Sequence, residues 1–92
     1  MNEILHDDEN NLVALNNLGN LELQAKKYNR AAELYLKALD IKNQDDGIFQ
    51  NLAVLELKRE NREKARYYFF KIVDKETLKN SNPQLILEIL KK

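Results

Sequence analysis

From Leu12 onward, apolar side chains recur every three or four residues, the spacing of an α-helix rather than of a strand. Leu12, Leu15, Leu18 and Leu21, with Val13, Ala14 and Leu23 beside them, mark a first helix ending near Ala25 to Lys27. The acidic Asp7-Asp8-Glu9 and the cap-forming Asn10-Asn11 precede it, in a segment that is otherwise polar except for Ile4 and Leu5. A second helix, capped by Asn29, carries Ala31, Leu34, Tyr35, Ala38, Leu39 and Ile41. Turn-forming residues at Asn43-Gln44-Asp45-Asp46-Gly47 then interrupt the pattern. A third helix presents Ile48, Phe49, Leu52, Ala53, Leu55 and Leu57, and the chain turns again at Glu60-Asn61. A fourth presents Ala65, Tyr68, Phe69, Ile72 and Val73. After a break at Asn80-Ser81-Asn82, Pro83 suits the first turn of a last helix, where its missing N–H is not needed, with Asn82 as cap. That helix holds Leu85, Ile86, Leu87, Ile89 and Leu90, too apolar to stand in water alone, so it is expected to pack on the preceding pair.

The pattern repeats. A shift of 34 residues aligns positions 12–79 without a gap and places Leu15 on Phe49, Gly19 on Ala53, Tyr35 on Phe69, Ala38 on Ile72 and Leu39 on Val73. Under it Asn17/Asn51, Leu18/Leu52, Leu21/Leu55, Glu22/Glu56, Leu23/Leu57, Ala31/Ala65, Lys37/Lys71 and Asp40/Asp74 are identical. Helical periodicity alone would match apolar with apolar; it would not also set small residues opposite small ones. Glycine inside a helix costs about 1 kcal/mol relative to alanine, so Gly19 implies a close neighbour. Two antiparallel helices joined by a very short turn supply one. Gly19 or Ala53 on one helix and Ala31 or Ala65 on the other permit the approach. Leu15, Leu18 and Tyr35 are expected to interlock in the first pair, and Phe49, Leu52 and Phe69 in the second.

With Leu15-x2-Leu18-Gly19, Tyr28, Ala31-x3-Tyr35 and Ala38-Leu39, the first unit resembles a tetratricopeptide (TPR) repeat, and Phe49-x2-Leu52-Ala53 with Ala65-x3-Phe69 its second copy. The chain departs from the family pattern in places. Glu22 and Glu56 stand where an aromatic is usual, Arg62 stands at the place of Tyr28, and Asn43 and Thr77 at the place of the closing proline. Ile72 replaces the small Ala38, which implies looser packing late in the fourth helix. The resemblance implies an all-α fold, an α-α superhelix built as a right-handed stack of antiparallel helix pairs. One domain would span 1–92: an N-terminal segment 1–11, repeats 12–45 and 46–79, and a capping helix 83–92 covering the exposed end of the stack. In that register Ile4 and Leu5 correspond to Ala38 and Leu39, where the tail of a preceding repeat would lie.

Composition narrows the role. The 92 residues hold 15 Lys+Arg and 15 Asp+Glu, for a net charge of zero, which argues against a nucleic-acid partner or a polybasic membrane module. Two glycines and one proline agree with an all-helical chain, and the absence of cysteine excludes disulfide and thiolate chemistry. No apolar run reaches the ~18 residues of a membrane span, and no secretory leader is visible, so a cytoplasmic setting is expected. His6 lacks partners for a metal site, and Asp7-Asp8-Glu9 lacks the spacing of a calcium loop. No phosphate loop or nucleophile motif occurs, so neither catalysis nor a cofactor is expected.

What remains is binding. By resemblance, the first helix of each repeat lines a concave groove, here Val13, Asn16, Asn17, Asn20, Leu23 and Gln24, then Gly47, Gln50, Asn51, Val54, Leu57 and Lys58. This amide and apolar surface suits a peptide or a partner helix. Asn20 and Asn51 stand at two places of the clamp with which some relatives hold a C-terminal carboxylate. Its basic places hold Asn16, Ser81 and Leu85, so binding of chaperone tails is not expected. Glu22 and Glu56 recur on neighbouring helices and read as solvated groups or an acidic rim. Leu36 and Phe70 occupy equivalent places in the second helices; with Tyr67 they read as packing of these helices against neighbours. The alternative is assembly of a longer array, or self-association of an otherwise monomeric chain, through Leu36/Phe70 or the last helix.

Overall fold

The computed structural model describes residues 11–91. Over these residues the chain is all-helical, with α1 (Leu12–Gln24), α2 (Tyr28–Ile41), α3 (Asp46–Lys58), α4 (Arg62–Lys71), α5 (Lys75–Ser81) and α6 (Pro83–Leu90). Ile4, Leu5, His6 and Asp7-Asp8-Glu9 lie outside the described residues.

The sequence repeat is a structural one. Leu12 and Asp46 begin α1 and α3, and Tyr28 and Arg62 begin α2 and α4, both steps of 34 residues. Asn11 caps α1 by accepting from Ala14 N at 3.1 Å, and Asp45 caps α3 by accepting from Ile48 N at 3.1 Å. Both hairpin turns close the same way. Lys27 N donates to Glu22 O at 2.9 Å and Asn61 N to Glu56 O at 2.8 Å, a helix-ending bond that spans a left-handed residue. That residue is Lys26, at φ 64°, in one turn and Glu60, at φ 62°, in the other. Asn29 is not the cap of α2: the helix starts from Lys27 with no side-chain cap, and Asn29 Oδ1 instead accepts from Arg59 Nη2 at 3.0 Å.

α1 packs on α2, α3 on α4, and α2 on α3, so the two hairpins share one core. Leu15, Ala31, Leu34, Tyr35, Ala38, Ile48, Phe49, Leu52, Ala53, Leu55, Ala65, Tyr68 and Phe69 are buried in it. Gly19 is where α1 meets the Tyr35 ring: a Cβ on Gly19 would lie 2.5 Å from Tyr35 Cε1. The close neighbour is therefore an aromatic side chain lying on the bare backbone. Leu18 departs from expectation. It is 42% exposed, whereas its counterpart Leu52 is at 0%, because α2 lies on that flank of α3 and no described helix lies on the same flank of α1. Ile41 and Val73 are exposed as well, at or just beyond the ends of their helices.

The second hairpin ends differently from the first. α4 stops at Lys71, and the backbone of Ile72 turns extended. Asp46 causes the stop: its carboxylate accepts from Val73 N at 3.0 Å and from Asp74 N at 2.9 Å, taking two N–H groups out of the helical ladder. Leu12, at the equivalent place in α1, has no carboxylate to do this. Ile72 is thereby buried rather than loosely packed. Asp74 then caps the short α5, which sequence periodicity does not announce, by accepting from Thr77 N at 3.0 Å.

α6 begins as expected, with Pro83 in its first turn and Asn82 Oδ1 accepting from Leu85 N at 3.2 Å. Leu85 and Ile89 are buried, and the helix rests on α4 and α5. Its C-terminal carbonyls are held by two arginines of α4. Arg62 Nη2 donates to Glu88 O at 2.7 Å and to Lys91 O, and Arg66 Nε donates to Ile89 O at 3.2 Å. An arginine at the place of Tyr28 is therefore what fastens the last helix.

Candidate functional site

The residues singled out for a groove lie along α1 and α3. Val13, Asn17, Gln24, Gly47 and Lys58 are exposed, while Asn16, Asn20, Leu23, Gln50, Asn51, Val54 and Leu57 are half-buried. Two hydrogen bonds orient the amides. Asn51 Nδ2 donates to Asn16 Oδ1 at 2.7 Å, joining α3 to α1, and Tyr35 O–H donates to Asn20 Oδ1 at 2.5 Å. Both bonds use the carbonyl ends of Asn16 and Asn20, which leaves their NH2 groups for a ligand acceptor. Burial pushes the Tyr35 hydroxyl up to about 12, so it stays a donor at any physiological pH.

An apolar concavity lies further along. A depression of about 670 Å³ is lined by Val54, Leu57 and Lys58 of α3, Glu60 and Arg62 at the turn and start of α4, and Asn82, Gln84, Leu85 and Glu88 at the start and along α6. Its apolar lining is Val54, Leu57 and Leu85, and its rim carries both charge signs. Of the residues singled out from sequence, Val54, Leu57 and Lys58 line it, while the α1 residues do not. The α6 contribution could not be found by repeat register, because α6 follows a break and an extra helix. The signal available was the apolar density from Leu85 to Leu90.

Two other readings change. Glu56 does not join an acidic rim. It is buried, with Oε2 3.9 Å from Arg59 Nη1, and Arg59 also reaches Asn29, so the pair ties the first hairpin turn to the second repeat. Glu22 lies 4.0 Å from Arg30 Nε. Burial, reinforced by the charge of Glu56, pushes the Tyr68 hydroxyl up. Tyr67 and Phe70 do not pack between helices; they and Leu36 are exposed, with Lys71 Nζ 4.8 Å above the Tyr67 ring. Leu87 and Leu90 are exposed on the outer side of α6.

Among the described residues no group of three metal-binding side chains converges, and no helix is long and apolar enough to cross a membrane. No protein-family model matches the chain, and comparison with curated proteins and with solved structures returns no match.

Proposed function

We propose that the protein is a protein-interaction module of TPR-like architecture that holds a peptide or partner helix along α1 and α3. The reading draws on the repeated hairpins with their matching left-handed turns, and on the stacking of α2 against α3. One observation carries it: the apolar depression of Val54, Leu57 and Leu85 lies along the side of α3 that also bears Gln50 and Asn51. A ligand side chain buried in the depression would supply affinity through apolar area. The oriented amides of Asn16 and Asn20 would meet its backbone or polar carbonyls. A binding role fits this surface better than catalysis, since its polar groups are amides and rim charges of both signs, with no nucleophile motif among them. Chaperone tails are poor candidates, because Ser81 and Leu85 offer no cation for a terminal carboxylate.

The test starts with peptides selected on the full chain from a displayed library. Their addition should shift the amide NMR signals of Asn16, Asn20, Asn51, Val54 and Leu57. Leu57→Arg, with helix content unchanged by circular dichroism, should lower affinity at least tenfold. Shifts confined to Leu36, Tyr67 and Phe70 would refute the reading and favour assembly through that opposite stripe.

A further inference from the structure

The two hairpins differ at three linked positions. Gly19, Asn20 and Tyr35 of the first stand 34 residues before Ala53, Val54 and Phe69 of the second. Bare backbone at Gly19 lets the Tyr35 ring lie against α1, where a Cβ would be 2.5 Å from Cε1. From there the hydroxyl reaches the next residue of α1 and donates to Asn20 Oδ1 at 2.5 Å. In the second hairpin a methyl group, an apolar side chain and a ring without a hydroxyl stand at the same places. Hydroxyl and amide are present together in one copy and absent together in the other, as the two halves of one device would be.

The bond decides which way the amide faces. An asparagine side chain has an accepting end and a donating end, and rotation about its last torsion exchanges them. Tyr35 is wholly buried, and its O–H takes the accepting end of Asn20. A flipped amide would donate to the tyrosine oxygen and leave the O–H proton without an acceptor inside the core, which is costly. The NH2 group of Asn20 is therefore held away from the core.

On the reading that α1 and α3 hold a ligand, we propose that Tyr35 is a positioning residue which fixes Asn20 as a donor and so makes the α1 part of the groove select a carbonyl oxygen. Val54, the counterpart of Asn20, lines the apolar depression, so the α3 part selects an apolar side chain instead. The ligand class follows from the two together. α1 and α3 are joined directly by the bond of Asn16 to Asn51 at 2.7 Å. Helices in direct contact lie about 8–10 Å apart, a distance that an extended chain covers in about three residues. The partner is an extended peptide with a large apolar side chain about three residues from the carbonyl that meets Asn20. The flank of a partner helix fits less well, because its carbonyls are already bonded within the helix.

The probes are peptides selected on the full chain from a displayed library. Tyr35→Phe should lower their affinity about three- to tenfold, the worth of one neutral hydrogen bond, although the tyrosine lies in the core and not in the groove. Asn20→Val should lower it at least as far. In the Asn20→Val background, Tyr35→Phe should leave affinity unchanged, because the hydroxyl acts only through the amide. That double variant carries the pair found in the second hairpin, so its core holds no unmet hydroxyl. In the free protein, the Asn20 NH2 signals in NMR spectra should lie away from those of solvent-exposed asparagines and move towards them in Tyr35→Phe. A Tyr35→Phe chain that binds as wild type does, while Asn20→Val loses affinity, overturns the positioning role and leaves the groove reading standing. Equal losses from Tyr35→Phe with and without Asn20 overturn it too, since the hydroxyl would then act by general loosening. An Asn20→Val chain with undiminished affinity, or a library that yields no peptide, overturns the groove reading along with this one.

Discussion

Gly19 shows how much one missing methyl group can decide. A Cβ there would sit 2.5 Å from Cε1 and 2.8 Å from Cδ1 of Tyr35. The ring cannot retreat, because Tyr35 is wholly buried and its hydroxyl is tied to Asn20. Helix propensity favours alanine over glycine by about 1 kcal/mol, yet overpacking of a filled core costs ~1–3 kcal/mol. Overpacking wins, so Gly19→Ala should lower the thermal midpoint, and Gly19→Leu should lower it further. An unchanged midpoint for Gly19→Leu would refute the close contact. Tyr35→Phe keeps the ring and removes the bond to Asn20, for an expected loss of about 1 kcal/mol in denaturant unfolding. Ala53, at the equivalent place, already carries the methyl group, and the ring at the place of Tyr35 is Phe69, which has no hydroxyl to anchor.

At the scale of elements, the two hairpins differ because of Asp46. Partial desolvation works upward on its carboxyl, but the N–H groups of Val73 and Asp74 and the amide of Gln44 outweigh it and hold the pKa below 3.8. The hydroxyl and N–H of Thr77 hold Asp74 below its ordinary value too. Both groups are depressed in the folded state, so their stabilising contribution is complete above the unfolded value and is lost as pH falls through the folded one. Below about pH 4, amide protection in α5 should therefore fail before that in α1 to α4. Asp46→Asn, which cannot keep both oxygen acceptors, should weaken α5 protection at neutral pH. Equal protection of α5 in that variant would show that the Asp74 cap and Leu78 packing hold α5 without Asp46.

Across the whole molecule, stability depends on stacking. The described chain is elongated, 47 × 25 × 19 Å, so each hairpin touches only its neighbour. Leu52, at the α2–α3 boundary, is where the two hairpins bury one another. Leu52→Ala should cost about 2–5 kcal/mol. It should also uncouple the hairpins, so that hydrogen exchange of α1–α2 and of α3–α4 no longer reports one common opening. Ile89→Ala should free α6 at a cost of about 2–5 kcal/mol and remove one wall of the depression. Peptide binding at Leu57 should then weaken while α1 and α2 keep their protection. Undiminished binding would place the site on α3 alone.

The sequence by itself determined five of the six described helices, their order, the 34-residue period, the close approach at Gly19 and the Asn82–Pro83 helix start. These follow from spacing, cap chemistry and side-chain size, all local along the chain. It also singled out the amides of α1 and α3, though not how they are oriented. Leu18 could not be told from Leu52 in this way, since burial depends on which helix lies across the flank. Nor could Asp46 be recognised as the residue that stops α4 and frees α5, because its partners lie a whole hairpin away. Only the tertiary structure decided that Arg62 and Arg66 hold α6, and that Leu85 completes the depression. Gly19 was legible because a missing side chain marks its own position, whereas the different exposure of Leu18 and Leu52 depends on what packs across each from elsewhere in the chain.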